Sequence, residues 1–100
     1  MLNAENQRLC DEVFKKYGYS HQLLKLAEEC AELIQPIQRI AQGDISNETY
    51  ENFMEEFIDV YIVQSQIIQF WIKNNHELYV QVFNEQAKDK LEKALKGVEK

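Results

Sequence analysis

Residues 47–73 read NETYENFMEEFIDVYIVQSQIIQFWIK and contain neither glycine nor proline. At helical spacing, the apolar residues of this stretch surround the axis instead of marking one side of it. They are Phe53, Met54, Phe57, Ile58, Val60, Tyr61, Ile62, Val63, Ile67, Ile68, Phe70, Trp71 and Ile72. A helix that is apolar all round must be covered all round. Because Glu55, Glu56 and Asp59 interrupt the stretch, it is not a membrane span, and protein must cover it.

The length of this helix predicts self-association. At about 1.5 Å per residue, a helix over 47–73 is roughly 40 Å long, whereas a compact chain of this size has a radius of gyration near 13 Å. Three shorter helices of the same chain cannot easily wrap it. We therefore expect a homodimer or homotetramer in which these helices meet. A monomeric bundle with a partly exposed rim is the alternative.

The remaining helices are predicted from the residues that end them. Gly18, Gly43 and Gly97 lie where helices would stop, and Ser46 can cap the helix that follows it. The predicted helices run from about Asn3 to Gly18, Ser20 to Gly43, Asn47 to Lys73 and His76 to Leu95, with a turn at Asn74 and Asn75. With 3 glycines and 1 proline, the chain lacks the usual turn residues of a sandwich or barrel. Residues 1–100 are therefore expected to form one all-α domain, a four-helix chain in an oligomeric bundle.

Composition excludes some partners. The chain has 17 acidic residues against 11 basic ones and a net charge of −6, the wrong sign for gripping nucleic-acid phosphates. It also contains no apolar run that would span a membrane. Two cysteines, Cys10 and Cys30, and no signal peptide predict a reduced, cytoplasmic protein in which both cysteines lie in the core.

Two acidic groups stand at helical spacing, EECAE at residues 28–32 and EEFID at residues 55–59. Glu29 with Glu32, and Glu56 with Asp59, are three residues apart, which on a helix places the side chains about 5–6 Å from each other. Two such carboxylates can share a divalent cation. For the first pair a solvated surface is the alternative, because Lys25 lies four residues before Glu29.

The second pair is harder to explain as a surface. At 100° per residue, Glu56 shares its side of the helix with Val60, Val63 and Ile67, so this acid is expected on the core face. Buried carboxylates need partners, and few basic residues lie near these segments. Bound cations are the simplest neutralising agents, and an oxygen-only ligand set favours Mg²⁺ or Mn²⁺ over zinc or a di-iron site.

The motifs LAEECAEL, residues 26–33, and EEFIDV, residues 55–60, resemble the EExxE and ExxD motifs of the MazG-like all-alpha nucleoside triphosphate pyrophosphohydrolases. The resemblance covers the second to fourth predicted helices. It implies hydrolysis of a nucleoside or deoxynucleoside triphosphate to the monophosphate and pyrophosphate with Mg²⁺. It also implies an oligomeric helical bundle and a housekeeping role in the nucleotide pool. The metal-binding acids that it implies are Glu29, Glu32, Glu56 and Asp59. The general base is one of Glu28, Glu29 and Glu32, which spacing does not separate.

Substrate contacts are expected elsewhere in the chain. The resemblance implies phosphate-binding lysines in the last helix, where Lys88, Lys90 and Lys93 stand; a lysine-rich helix end that complements the helix dipole is the alternative. Candidates for the base pocket are Phe14, Tyr17 and Trp71, each of which could instead belong to the core. The sequence departs from the family pattern at Ala31 and Gln35, and residues 86–96 have no Asn and no Arg at the positions that match the family's.

A second class of function uses the same fold. The chain could be a non-catalytic oligomerisation or regulatory module that retains a vestigial acidic site. A vestigial site would show no saturable Mg²⁺ binding, which separates the two hypotheses.

Overall fold

The computed structural model describes residues 1–97, apart from the side chain of His76. Its helices are α1 (Ala4–Tyr17), α2 (Tyr19–Ala41) and α3 (Asn47–Leu95). Asn75, with φ −156° and ψ 70°, is extended and divides α3 into two helices at the predicted turn. The prediction of an all-α chain with four helices is confirmed for residues 1–97, where no strand forms.

The first two helix ends follow from local chemistry. The Asn3 side chain accepts a hydrogen bond from the backbone N–H of Asn6 at 2.8 Å and so caps α1. Gly18 separates α1 from α2 with φ 86°, and its N–H donates to the carbonyl of Phe14 at 2.8 Å. Gly43, just beyond α2, has φ 99°. Both glycines take the positive φ that side chains disfavour, as predicted for residues that end helices.

Three side chains form the cap at the start of α3. The Ser46 hydroxyl accepts a hydrogen bond from the backbone N–H of Thr49 at 3.3 Å, which confirms the predicted cap. Asp44 accepts from the backbone N–H of Ser46 at 2.9 Å and from the buried Thr49 hydroxyl at 2.6 Å. These hydrogen bonds, led by the one from Thr49, lower the pKa of Asp44 to about 2.

The chain divides into two compact units, Met1–Ile68 and the segment that begins at Gln69. In the first unit, buried amides connect α1, α2 and α3. Gln22 Nε2 donates to Gln66 Oε1 at 2.7 Å, and Gln66 Nε2 donates to the carbonyl of Cys10 at 2.9 Å. Both glutamines are buried, as are Val63 and Ile67 on α3. The hydrogen bonds satisfy amides that would otherwise be costly to bury.

The inward face of α2 is unusually polar. Its buried residues, Gln22, Glu29 and Pro36, recur every seven positions, close to two helical turns. Cys30 points about 100° away from Glu29, and it is exposed. The expectation that both cysteines are buried is therefore wrong for Cys30, whereas Cys10 is buried as predicted.

Large apolar side chains remain exposed on the first unit. On α2 and α3 they include Leu23, Ile34, Ile37, Tyr50, Met54, Phe57 and Ile58. Exposed apolar side chains that form a large patch mark interaction sites in soluble proteins, whereas scattered ones do not. A single chain thus leaves part of α3 uncovered, as expected for a long helix with apolar residues on all sides.

The second unit contains an apolar cleft of about 420 Å³. Trp71 and Tyr79 stack along it, with ring centroids 5.8 Å apart and planes inclined by 19°. Phe83 and Lys90 also line this cleft.

Within residues 1–97, no helix has both the length and the apolar content that crossing a membrane requires.

Candidate metal centre

Carboxylates from both predicted motifs meet between α2 and α3. Glu29, Glu32 and Glu56 each place one carboxylate oxygen within 4.8 Å of the other two. We refer to these three residues as the acidic cluster. Glu29 lies on the inward face of α2 and is only 6% exposed. Glu56 is half-buried on α3 and Glu32 is exposed, so the cluster extends from the helix interface to the surface.

Two oxygens of the acidic cluster lack partners. Glu29 Oε2 and Glu56 Oε2 are buried, and no group in the described part of the chain donates a hydrogen bond to either. An unpartnered buried carboxylate oxygen is costly, and more so when the carboxylate is ionised. A hard divalent cation supplies the missing partner, and carboxylate oxygens are the ligands that Mg²⁺ and Mn²⁺ prefer. The residues present therefore fit such an ion.

The electrostatics of the site also favour a bound cation. The charge of Glu29 raises the pKa of Glu32, and desolvation by neighbouring atoms and the charge of Glu56 raise it further. Burial is the main cause of the raised pKa of Asp59, and the charge of Glu29 adds to it. Each carboxylate makes the ionised form of its neighbours less favourable, a penalty that a bound cation would remove.

The other acids of the two motifs lie beside the acidic cluster. Asp59 stands outside the three-acid group but lines an adjoining cleft together with Glu29. Glu28, with a side chain 61% exposed, lies 3.5 Å from Lys25 Nζ and is also outside the group. Of the four acids that the resemblance implies as metal ligands, three are brought together, and Asp59 lies on the adjacent wall.

The adjoining cleft has a volume of about 330 Å³ and lies within the first unit. Its lining comprises Val13, Tyr17, His21, Gln22, Lys25, Glu29, Asp59, Ile62, Val63 and Gln66. The rings of Tyr17 and His21 stack with centroids 4.7 Å apart and an interplanar angle of 22°. His21 Nδ1–H donates to Gln22 Oε1 at 2.7 Å, which continues the buried amide chain to Gln66. The cleft thus combines aromatic faces, fixed amides and one edge of the acidic cluster.

Three polar side chains that line this cleft are not among the predicted site residues. They are His21, Gln22 and Gln66. For Gln22, a signal was present in its position seven residues before Glu29, which places both on one face of α2. For Gln66, the signal is its position three residues after Val63, which places both residues on one face of α3, and both are buried.

Lys25 also lines the cleft. Its Nζ lies 3.1 Å from Glu29 Oε1, and its side chain is 40% exposed. The hydrogen bond with Glu29 is the main cause of the raised pKa of Lys25. The ion pair expected of a solvated surface thus forms, but its acidic member is buried, so EECAE is not simply a solvated face.

The predicted substrate residues are divided between the two units. Tyr17 lines the cleft beside the acidic cluster, whereas Phe14, half-buried on the same helix, does not. Trp71 belongs to the second unit, and so do the three predicted phosphate-binding lysines, which are Lys88, Lys90 and Lys93. Lys90 lines the apolar cleft of that unit with Trp71, and Lys93 Nζ lies 3.1 Å from Asp89 Oδ2.

No protein-family model, curated protein or solved structure matches the chain.

Proposed function

We propose that this protein is a Mg²⁺-dependent pyrophosphohydrolase that cleaves a nucleoside or deoxynucleoside triphosphate to the monophosphate and pyrophosphate. One observation carries the proposal. Glu29, Glu32 and Glu56, drawn from both acidic motifs, converge at the edge of a cleft, and two of their buried oxygens have no hydrogen-bond partner among the described residues. The resemblance of the same two motifs to those of the MazG-like pyrophosphohydrolases supports the reaction type.

The acidic cluster would hold the cation, with Asp59 as a further oxygen donor on the adjoining wall. Mg²⁺ bound there would neutralise part of the triphosphate charge and polarise its phosphoryl oxygens. Mn²⁺ suits the same donor set. Glu28 lies outside the acidic cluster, so it is the candidate general base that ion binding leaves unused.

The cleft suits the nucleoside part of the substrate. The stacked rings of Tyr17 and His21 offer an aromatic face to a nucleobase. Gln22 and Gln66 are buried and hydrogen-bonded to each other, and Gln22 also accepts from His21, so the wall that carries His21 is held in one arrangement.

We further propose that the working form is a homodimer or homotetramer in the cytoplasm. The exposed apolar residues of α2 and α3 support self-association, because a second copy would cover them. In this assembly the enzyme would act on nucleotide pools.

Pyrophosphate release from a panel of nucleoside and deoxynucleoside triphosphates, measured with Mg²⁺, tests the reaction directly. Glu32→Gln and Asp59→Asn should each abolish release while the far-ultraviolet circular dichroism of the protein is unchanged, because each removes a charged oxygen donor of similar size. Glu51→Gln is the matched control, since Glu51 is an exposed acid of α3, the helix that carries Asp59. No release from any nucleotide, together with no saturable Mg²⁺ binding, would instead favour the regulatory module with a vestigial site.

A further inference from the structure

Lys25 is the basic side chain that the fold places against the acidic residues. Its Nζ lies 3.1 Å from Glu29 Oε1 and 3.5 Å from Glu28 Oε1. In the part of the chain that the structure describes, no other basic side chain forms an ion pair with an acid of either motif. The charge of Lys25 is therefore the local counterion of the site.

The two members of this ion pair differ in their freedom to move. The Glu29 side chain is 8% exposed and fixed at the helix interface, whereas the Lys25 side chain is 40% exposed. A lysine carries its charge on a flexible four-carbon stem. Since Lys25 also lines the cleft, its ammonium can leave Glu29 and still remain at the wall where the substrate would lie.

From this geometry we propose that Lys25 exchanges one anion for another during the reaction cycle. It neutralises Glu29 while no cation is bound, and it binds the phosphate chain of the substrate once a divalent cation occupies the acidic cluster. The inference rests on the proposed function, because a polyphosphate substrate is the second anion. A cation bound by Glu29 takes over the neutralisation and repels the ammonium, and the polyphosphate in the adjoining cleft then offers the nearest negative charge.

This exchange has a signature that a purely structural lysine lacks. The positive charge of Lys25 opposes binding of a metal ion alone and favours binding of a polyphosphate together with the metal ion. Removing the charge should therefore change the two affinities in opposite directions. A lysine that only holds Glu29 in position would instead weaken metal binding when it is removed.

The test compares Lys25→Met and Lys25→Arg with Lys15→Met, which removes the same charge from an exposed site on α1 outside the cleft lining. Titration calorimetry with Mn²⁺ alone should show Lys25→Met binding about two- to fivefold tighter than wild type. With saturating Mn²⁺, inorganic tripolyphosphate should bind Lys25→Met about ten- to hundredfold more weakly, the range for a lost charged hydrogen bond. Lys25→Arg should keep most of the tripolyphosphate affinity, and Lys15→Met should match wild type in both titrations.

Weaker Mn²⁺ binding by Lys25→Met, or an unchanged affinity for tripolyphosphate, would overturn the exchange. The proposed function fails separately from it. A wild type that binds tripolyphosphate through Lys25 but releases no pyrophosphate from any nucleotide refutes the hydrolase and supports the exchange. An active wild type whose tripolyphosphate affinity does not depend on Lys25 overturns the exchange alone.

Discussion

Glu56→Gln isolates the metal-binding role of the acidic cluster more cleanly than any other substitution. Its Oε2 is buried without a hydrogen-bond partner, and no ion pair of the described chain includes it. Glutamine keeps the size of the side chain but removes the charge that a hard cation requires. Metal-free Glu56→Gln should therefore melt at or above the temperature of the metal-free wild type, because one of three clustered carboxylates no longer repels the others.

The stabilisation of the folded state by metal should be almost completely lost in Glu56→Gln. At a free Mn²⁺ concentration about ten times the Kd, binding to the folded state alone stabilises it by RT ln(1 + [Mn²⁺]/Kd), or about 1.4 kcal/mol. For a chain of this length that corresponds to a Tm increase of roughly 6–11 °C. Loss of one ligand should weaken Mn²⁺ binding by about a hundredfold or more. Even mutation of groups that only hydrogen-bond the ligands weakens metal affinity by roughly ten- to hundredfold. At the same Mn²⁺ concentration, the stabilisation of Glu56→Gln is then below about 0.1 kcal/mol, too small to detect as a Tm shift.

The assay is thermal unfolding followed by circular dichroism, with and without Mn²⁺, on wild type, Glu56→Gln and the control Glu51→Gln. Glu51 is an exposed acid one and a half turns earlier on α3, so its variant should retain the full Mn²⁺ shift. A full shift in Glu56→Gln would refute the cluster as the binding site. Absence of a shift in the wild type would refute a preformed site altogether.

Four further predictions concern assembly, the pH dependence without metal, capping and sensitivity to acid. Light scattering at micromolar concentration should give the mass of a dimer or tetramer, because side chains such as Phe57 are exposed in one chain; a monomer mass contradicts this. Without metal, Tm should fall as the pH rises above about 4, because the raised pKa values of Glu32 and Asp59 make the folded state bind more protons than the unfolded state. Saturating Mn²⁺ should remove this fall, and an unchanged slope would mean that other groups cause it. Ser46→Ala should lower the free energy of unfolding in urea by about 1 kcal/mol through loss of the cap, without changing the Mn²⁺ shift. The depressed pKa of Asp44, about 2, adds stability that is lost as the pH falls toward that value, and Asp44→Asn should reduce this acid sensitivity.

Much of the fold could be predicted from the sequence because the deciding interactions are local. The positive φ of Gly18 and Gly43, the cap at Ser46 and the break at Asn75 depend on residues within one or two turns. The placement of Glu56 on the core side of its helix also follows from helical periodicity, and Val63 and Ile67 on that side are buried.

Part of the site could be predicted for the same reason. Residues three apart on a helix share a face, so the pairing of Glu29 with Glu32 is already present in the sequence. Whether that face is solvated or buried is not a local property. The ion pair of Glu29 with Lys25 is compatible with a solvated face and with a buried one. Only the packing of α2 against α3 makes Glu29 an inward residue.

Tertiary structure alone decided which groups from different helices meet. The approach of Glu56 to Glu29 and Glu32, and the cleft between α1, α2 and α3, depend on interhelical distances and rotations that no single helix specifies. The same packing buries Cys10 and leaves Cys30 exposed, although both residues are equally apolar. Sequence therefore determined where the helices begin and end and which acids share a face, because hydrogen bonds and dihedral angles within a helix are local. The structure decided which faces are buried and which acids converge, because those depend on how separate helices pack.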